Sequence, residues 1–582
     1  MAEDFVISPL SVITKLYYSD PGILNRLEDI SNHFRSLLKD DYTKIPLINE
    51  VPLELIPPNS LVRFKAMVQD MFDPEFYFGQ YETINKISGE NNIQLGCFTD
   101  TINCHHDNEI NYESARNVTL QRFTYCCIPI PGLNGWLKNK NSQTLLFHHY
   151  TGSVSKKRPA DDNNMEEDKI ISDTCKKSKK DIQNETVAEL LHDQADISKN
   201  IPQLQEDDQT VFIKMYSDTT CLKLNDTAEF ICILSSNPEL VINSSDDFES
   251  FTNGHDPSDL EEFAHNVSPS KVPRLHCLFF NKFNCFNQDV IIKKCLYESV
   301  FREIISIRGD IIALFTQLLG GDKLIAEYLL LHLISKVYGR CGTLCLGKFS
   351  MNIMKCPGEN FTTRLYSSIQ NIVEKSAYFP LTIDNLNNKK FVPKKDYEAN
   401  RLVYGALQLA CNTQVVIDET QMQPGKLNAE GIRNLAAIGN VIQWQRLDYD
   451  FEFSQVEMEA NLNMLVLSEG KSLLTCDVHI PLKPDGSYSD CVQELSDQQL
   501  EKIRLYLTAV QSLEYQLTEE VQKALEDDFV EMRKQDAKSV NADSFYLLLT
   551  TARYMSLSYG QTKLSSSLWI KSKELDMGRR NR

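Results

Sequence analysis

The sequence predicts a multidomain protein in which an α+β part precedes an α/β domain. Strand-like alternation of apolar and polar residues occupies residues 61–81, 123–130 and 211–234. Helical and strand-like segments then alternate from residue 310 to residue 467, a pattern typical of an α/β domain with a mostly parallel sheet. The end of the chain is helical. The 582 residues leave room for two or three domains of roughly 100–200 residues each.

The first residues of the chain predict a helical segment. Apolar side chains recur there at helical spacing, with Leu16, Ile23, Leu27 and Phe34 on one face. We assign residues 1–45 to this segment, because Pro-rich punctuation and strand-like sequence follow it.

Residues 46–138 and 210–235 are expected to form one OB-like β-barrel. From residue 211 to residue 234, an apolar strand, a polar turn and a second alternating strand follow one another, which is how small β-barrels turn a corner. Two polar segments, 139–209 and 236–270, contain few large apolar residues. We expect both to be disordered, because they cannot bury enough apolar surface to offset the loss of chain entropy.

Residues 271–495 are expected to form the α/β domain, and residues 496–582 a helical lid on it. The helices predicted in the α/β domain are residues 310–319 and 324–337, and the strands are residues 349–353, 415–417, 441–444 and 462–467. The helices predicted in the lid are residues 500–515, 518–534 and 542–557, the last with Asn541 or Asp543 as its N-cap.

Charge and composition restrict the partners of this chain. The formal net charge is −20, so direct DNA binding is not expected, because it requires Lys and Arg side chains to neutralise phosphates. An acidic chain suits a basic protein partner instead. No uninterrupted apolar stretch approaches the ~20 residues of a membrane span. The acidic start also lacks the basic and apolar regions of a signal peptide. We expect an intracellular protein with no membrane partner.

Neither a metal site nor a cofactor is expected. The 16 Cys, without a secretory signal, predict reduced thiols. The candidate ligands contain no CxxC pair, and two neighbours in a strand point to opposite faces, which disfavours a shared zinc ion. These candidates are Cys97, Cys104, His105, His106, Cys126 and Cys127.

Two basic clusters in the polar segment 139–209 predict a bipartite nuclear localisation signal and hence a nuclear protein. The alternative is a solvated run of charges without a receptor. The clusters consist of Lys156, Lys157 and Arg158, and of Lys176, Lys177, Lys179 and Lys180.

The segment from Val415 to Glu419 resembles the metal-holding strand of a nucleotide hydrolase. In such enzymes the Asp, here Asp418, binds the magnesium ion and the Glu, here Glu419, polarises water. Both need a Gly-rich phosphate loop. The nearest match, residues 342–348, is followed by Phe349 instead of Ser or Thr, and a helix precedes it where a strand should. The sequence therefore predicts a vestigial site, although an Asp-Glu pair also commonly ends a buried strand at the surface.

Two alternative functions remain open at this stage. One is an active ATPase with a divergent phosphate loop that uses Lys348 or Lys355. The other is an OB-fold adaptor that stacks DNA bases on aromatic side chains. The candidate platform is Phe72, Phe76, Tyr77 and Phe78, although an aromatic strand more often belongs to a core.

Several long runs resemble the MCM-binding protein family. They lie at residues 49–53, 69–77, 326–335, 415–420 and 526–534, and they span nearly the full chain outside the two polar segments. This resemblance implies a nuclear, non-enzymatic partner of the minichromosome maintenance (MCM) replicative helicase. It further implies a role in the assembly, protection or chromatin unloading of MCM complexes, with effects on S phase and on sister chromatid cohesion.

The C-terminal half is also similar to a decayed MCM-type AAA+ module. Residues 351–358 occupy the position of the strand and phosphate loop, before a helix at residues 361–372. A glycine is replaced near Lys355, and Phe361 stands about where the phosphate-binding Lys would be. The start of the lid helix at residues 541–543 lacks the Arg of an ATPase. This similarity implies a pseudo-ATPase, with Asp418 and Glu419 as its vestigial metal-binding pair.

Overall fold

The computed structural model describes residues 5–38, 42–100, 108–137, 210–216, 222–235, 272–283, 294–397, 400–485, 495–535 and 540–582. The two basic clusters, together with Cys104, His105 and His106, lie outside these residues. The α-helices are α1 (Pro9–Ser19), α2 (Leu27–Leu37), α3 (Lys294–Leu318), α4 (Lys323–Ile334), α5 (Glu359–Gln370), α6 (Ile383–Asn388), α7 (Ala429–Trp444), α8 (Asp497–Ser512), α9 (Glu519–Gln535), α10 (Ala542–Ser558) and α11 (Ser566–Arg580).

The strands make the class mixed α/β, and they form three larger sheets and one hairpin. They are β1 (Leu61–Met71), β2 (Glu75–Asn85), β3 (Asn91–Leu95), β4 (Asn108–Ile110), β5 (Val118–Pro129), β6 (Val211–Met215), β7 (Thr227–Ser235), β8 (Arg274–Lys282), β9 (Gly339–Cys341), β10 (Leu344–Leu346), β11 (Met351–Met354), β12 (Ser376–Pro380), β13 (Lys394–Asp396), β14 (Arg401–Val403), β15 (Gln414–Asp418), β16 (Arg446–Asp450), β17 (Gln455–Glu459), β18 (Asn463–Ser468) and β19 (Val478–Pro481).

Five strands close into a barrel in the order β1-β7-β8-β6-β5 and back to β1. The β6–β8 pair is parallel, and the other four pairs are antiparallel. Alternating residues of β1, namely Val62, Phe64, Ala66 and Val68, point to a shared apolar core, as the period of two predicts. The expected domain boundary at residue 271 therefore moves beyond β8. Sequence pattern could not place β8, because a strand after a long polar segment pairs equally well with either sheet.

The N-terminal helical segment covers one side of the barrel. It contains two helices, α1 and α2, separated by a 3-10 turn that begins at Pro21. Ile13 and Phe34 are fully buried against barrel residues such as Leu61 and Ile231. The helical prediction is confirmed, with a break where proline removes a backbone donor.

The α/β domain contains a parallel sheet in the order β12-β15-β18-β11-β19. The strands predicted at 349–353, 415–417 and 462–467 are β11, β15 and β18. The strand predicted at 441–444 is wrong, because these residues form the last turn of α7. Val441 and Ile442 are buried there, and a short apolar run does not distinguish a buried helix from a strand.

The predicted lid helices correspond to α8, α9 and α10. Together with α3 and α4, the lid packs on one face of the parallel sheet around a single apolar core. Arg308 on α3 is buried, and its guanidinium contacts Glu327 at 2.5 Å and the Ser558 hydroxyl at 2.9 Å. Asn541 is the N-cap of α10, because its side chain accepts a hydrogen bond from the Ser544 amide.

The barrel and the α/β domain share a buried interface. Gln69 of β1 donates a 2.8 Å hydrogen bond to the Leu402 carbonyl, and Gln408 donates one of 2.9 Å to the Gln69 carbonyl. Asn225 donates a hydrogen bond to the hydroxyl of Tyr449 across the same junction. Buried amides paired in this way fix the two domains relative to each other.

A charged network links β2 to the barrel wall. The Glu75 carboxylate contacts the buried side chains of Lys214 and Arg122, the latter at 3.3 Å, and accepts a hydrogen bond from Thr124. Burial alone would raise the pKa of Glu75, but the two cations overcome this effect and lower it to about 2. The ionised carboxylate therefore stabilises the fold, because it compensates two buried positive charges.

Replacing Glu75 by Gln should lower the free energy of unfolding at pH 7 by roughly 2 kcal/mol, because Lys214 and Arg122 lose their counter-charge. The folded pKa lies below the unfolded value, so this stabilisation is present above about pH 4.5 and is lost as the pH falls toward 2. Urea denaturation of both proteins from pH 2 to pH 7 measures this difference. A pH-independent difference would contradict the assignment.

Candidate functional site

The Asp-Glu pair lies at the carboxyl end of the parallel sheet, where open α/β sheets bind their ligands. Asp418 is the last residue of β15. The turn after β11 leads into α5 and lies at the same carboxyl end of the parallel strands. The fold thus brings the phosphate-loop position and the Asp-Glu pair together.

Hydrogen bonds from the chain itself occupy both carboxylate oxygens of Asp418. The side chain is fully buried. Oδ2 accepts from the Thr362 hydroxyl at 2.7 Å and from the Tyr378 hydroxyl at 2.5 Å, and also from Gln421 at 3.3 Å. Oδ1 accepts from the amide and the hydroxyl of Thr420, at 3.0 and 2.6 Å. A magnesium ion would have to displace these donors before it could bind.

Burial and the neighbouring carboxylate raise the pKa of Tyr378 to about 12, so its hydroxyl stays protonated and donates. Thr362 comes from α5 and Tyr378 from β12, so Asp418 connects three elements of the domain. We infer a structural role for Asp418 from this arrangement.

Glu419 is also held by the protein. Its Oε1 accepts a 2.9 Å hydrogen bond from Ser472, which lies in the loop after β18. Burial raises the pKa of the Glu419 carboxyl. Backbone groups of Leu473 and Leu474 in the same loop also hydrogen-bond this carboxylate, so the loop after β18 holds Glu419.

The turn before α5 does not offer a phosphate cradle. Lys355 adopts the left-handed region at φ 64°, a backbone conformation that favours glycine. The side chain of Phe361 is buried in the core beside the sheet. Glu359 brings a negative charge into the first turn of α5, where a phosphate would need a positive potential.

Residues 342–348, the nearest sequence match to a phosphate loop, lie in the β9–β10 hairpin and the segment after it. Gly342 lies in the turn of the β9–β10 hairpin. Lys348 lies before β11, at the amino ends of the parallel strands, whereas Asp418 lies at their carboxyl ends. Lys348 Nζ contacts Asp477 at 2.7 Å and the Ile442 carbonyl at 3.2 Å. This lysine is therefore a structural residue, and it cannot reach a nucleotide beside Asp418.

A cavity of about 210 Å³ lies at the amino ends of the parallel strands. A nucleotide would bind at their carboxyl ends. Its wall includes Gln414 and Asn463, which are the first residues of β15 and β18. The Arg504 guanidinium stacks 4.0 Å above the ring of Trp136 at the cavity wall. The cavity therefore lies between the sheet and the lid.

The four aromatic residues of the candidate base-stacking platform do not form one surface. Phe72 packs against Phe212, and Tyr77 packs against Tyr216. Phe76 is 75% exposed, whereas Phe78 contacts Tyr112. One exposed ring does not form the stacking surface on which single-strand binding depends.

Among the described residues, no group of His, Cys, Asp and Glu side chains is arranged to hold a metal ion. Cys97, Cys126 and Cys127 are buried. None of the described helices is long and apolar enough to cross a membrane.

Sequence reasoning identified Asp418 and Glu419 but missed their partners. Thr362 stands one residue after Phe361, where a phosphate loop carries its metal-binding hydroxyl, so extending the comparison by one position would have found it. Tyr378 and Ser472 carry no motif, and their roles arise only from the packing of the sheet.

These features define a mixed α/β protein with a closed five-stranded barrel and a parallel sheet whose Asp-Glu end is occupied by its own side chains. The family described as the mini-chromosome maintenance replisome factor matches residues 34–582. The chain belongs to this family.

Relatives in animals are similar over nearly their full length. The chain is 37% identical over 624 residues to the mini-chromosome maintenance complex-binding protein of Salmo salar, covering 100% of this chain and 98% of that protein. The protein of the same name from Homo sapiens is 37% identical over 627 residues, with the same coverage. The one from Drosophila melanogaster is 32% identical over 597 residues, covering 97% of this chain and 96% of that protein.

Replacing Asp418 by Ala should lower the free energy of unfolding by roughly 3 kcal/mol, because buried hydroxyl donors lose their acceptor. Chemical denaturation measures this loss, with Glu419→Gln as the milder control because it keeps an acceptor oxygen for Ser472. We expect Mg-ATP to leave the melting temperature of the wild type unchanged. An Asp418→Ala protein of wild-type stability that loses an ATP-induced rise in melting temperature would indicate a nucleotide site instead.

Proposed function

We propose that this chain is a non-catalytic binding partner of the MCM replicative helicase. The observation that carries the proposal is the full-length similarity to proteins whose name states that they bind the mini-chromosome maintenance complex. The site geometry supports the same conclusion, because the Asp418 carboxylate is occupied by the chain and the phosphate cradle is lost.

We further propose that the α/β domain is a degenerate AAA+ module. Numbered in chain order, its five parallel strands lie in the order 2-3-4-1-5, which read backwards is the 5-1-4-3-2 order of AAA+ ATPases. The Asp-Glu pair ends the third strand, and α5 follows the first, as in those enzymes. Helices α8 to α11 then take the place of the lid.

The barrel supports an OB-like assignment. Its strands, numbered in chain order without the β2–β4 insertion, lie in the closed order 1-2-3-5-4-1 with a parallel pair between the third and fifth strands. This is the Greek-key order of OB folds. An OB-like barrel before an AAA+-like module is the architecture that the MCM resemblance implies.

A pseudo-ATPase of this shape would dock on MCM subunits by imitating a neighbouring subunit. It would then compete for the surface that closes the helicase ring. Such competition supports roles in the assembly and protection of MCM complexes or in their unloading from chromatin. Effects on S phase and on sister chromatid cohesion would follow from a changed supply of functional helicase.

Affinity purification of the tagged full-length protein from nuclear extract tests the proposed function. We expect MCM subunits to be recovered equally with and without nuclease, because the acidic chain binds protein and not DNA. Mass spectrometry identifies the subunits, and the tag alone is the control. Recovery of no MCM subunit, or recovery that depends on DNA, would contradict the proposal.

We also propose that the two basic clusters direct the protein to the nucleus. Replacing Lys156, Lys157 and Arg158 by Ala should shift a fluorescent fusion of the full chain toward the cytoplasm, because import receptors read clustered positive charge. The matched control replaces Lys389, Lys390 and Lys394 by Ala. These lysines are exposed on the folded part, and their replacement also removes three positive charges. Unchanged nuclear accumulation of the cluster variant would refute this role.

A further inference from the structure

The small sheet β14-β13-β16-β17 has one covered edge and one open edge. At the β14 edge, the Leu402 amide donates a 2.6 Å hydrogen bond to Asp70 of the barrel, and its carbonyl accepts one of 2.8 Å from Gln69. At the other edge, β17 pairs with β16 alone within the part of the chain that the structure describes. The barrel therefore protects one edge of this sheet and leaves the other exposed.

The register identifies the backbone groups that face outward. The Ala460 amide donates to the Gln445 carbonyl, and the Phe451 amide to the Ser454 carbonyl, so the even-numbered residues from 454 to 460 face β16. The odd-numbered residues Gln455, Glu457 and Glu459 therefore direct their N–H and C=O groups away from the sheet. None of these outward groups forms a backbone hydrogen bond within the described residues.

Both faces of β17 are accessible, and they differ in chemistry. Glu457 and Glu459 are 61% and 66% exposed on one face. Val456 is 39% exposed on the other face, next to the half-buried Met458. In a strand added here, side chains alternate between the two faces of the sheet. One set would lie beside the carboxylates, and the other set beside Val456 and Met458.

The charge of this hairpin selects the added strand. Residues 446–459 carry five carboxylates and one arginine. Arg446 contacts Glu457, and Arg340 contacts Glu459 at 3.5 Å. The remaining three acids, at positions 448, 450 and 452, form no ion pair among the described residues. The edge thus keeps a net negative charge that favours Lys or Arg on an incoming strand.

A second copy of this chain is a poor occupant of the edge. Antiparallel pairing of two β17 strands centred on Glu457 would place Glu457 opposite itself, and Gln455 opposite Glu459. Like charges directly opposite each other destabilise a strand pair, and charged side chains on an edge strand protect against such self-association.

We propose that the β17 edge binds an extended segment of an MCM subunit as an added strand, with basic side chains alternating with apolar ones in that segment. The proposal rests on the proposed function for the identity of the partner. Main-chain hydrogen bonds to residues 455, 457 and 459 supply affinity, as in other complexes formed by strand addition. The carboxylates on one face and Val456 on the other supply selectivity.

Glu457→Pro tests the edge directly. Proline lacks the N–H group, and at this outward position it leaves the β16–β17 hydrogen bonds intact. We expect the full-length variant to bind purified MCM subunits about tenfold or more weakly than the wild type, in biolayer interferometry with each subunit in turn. Glu457→Gln is the matched control, because it removes the charge, keeps the N–H and should lose less affinity than the proline variant. Equal melting temperatures of the three proteins exclude unfolding as the cause.

Hydrogen exchange of the wild-type complex provides a second measurement that needs no variant. The amides of Gln455, Glu457 and Glu459 should become protected when the MCM subunit binds. Wild-type affinity of the proline variant, or no new protection at these amides in a formed complex, would overturn the edge proposal while the proposed function stands. A wild-type protein that binds none of the MCM subunits would overturn the proposed function itself, and with it this occupant.

Discussion

The α/β domain depends most on the hydrogen bonds that the Asp418 carboxylate accepts. This carboxylate accepts hydrogen bonds from α5 through Thr362, from β12 through Tyr378 and from its own turn through Thr420. A buried charge is tolerated only when such donors surround it. In a nucleotide hydrolase a metal ion and its water ligands occupy this space, and the nucleotide completes the site. Here the chain completes the site by itself, so the end of the sheet is closed without a ligand.

Apolar packing and a buried polar contact hold the lid on the sheet. Helices α8 to α11 share one apolar core with α3, α4 and the sheet, and the buried Arg308–Glu327 pair adds a polar contact within that helical layer. Arg308 also donates a 2.9 Å hydrogen bond to the Ser558 hydroxyl of α10, so its buried guanidinium connects α3 and α4 to the lid. A chain that works by presenting a constant surface to a partner benefits from this rigidity, because less conformational entropy is lost on binding.

The sequence predicted the long strands of the barrel and three strands of the parallel sheet, because period-two and period-3.6 patterns report burial directly. It did not predict β12, β19 or the strands of the small sheet β14-β13-β16-β17. It predicted the alternation in β1, an N-cap at Asn541 or Asp543, of which Asn541 is the cap, and the Asp418–Glu419 strand end. It failed at residues 441–444, where three apolar residues, Val441, Ile442 and Trp444, at a helix end imitate a strand. The domain boundary at residue 271 assigned β8 to the α/β domain, whereas β8 belongs to the barrel, beside its parallel partner β6 more than 50 residues earlier. Tyr378 and Ser472 could not be predicted as partners of the Asp-Glu pair, since only the three-dimensional packing of β12 and the β18 loop brings them there.

The small sheet combines rigidity and accessibility in a way that the parallel sheet does not. Its β14 edge is bonded to the barrel through Asp70 and Gln69, so the position of the whole sheet is fixed by the domain interface. Its β17 edge is thereby held in a defined place with its backbone groups exposed. An edge that binds through main-chain groups tolerates side-chain variation in its partner, provided that charge and alternation are kept. Such tolerance suits a helicase assembled from several related subunits, whereas a deep side-chain pocket would restrict binding to a single sequence.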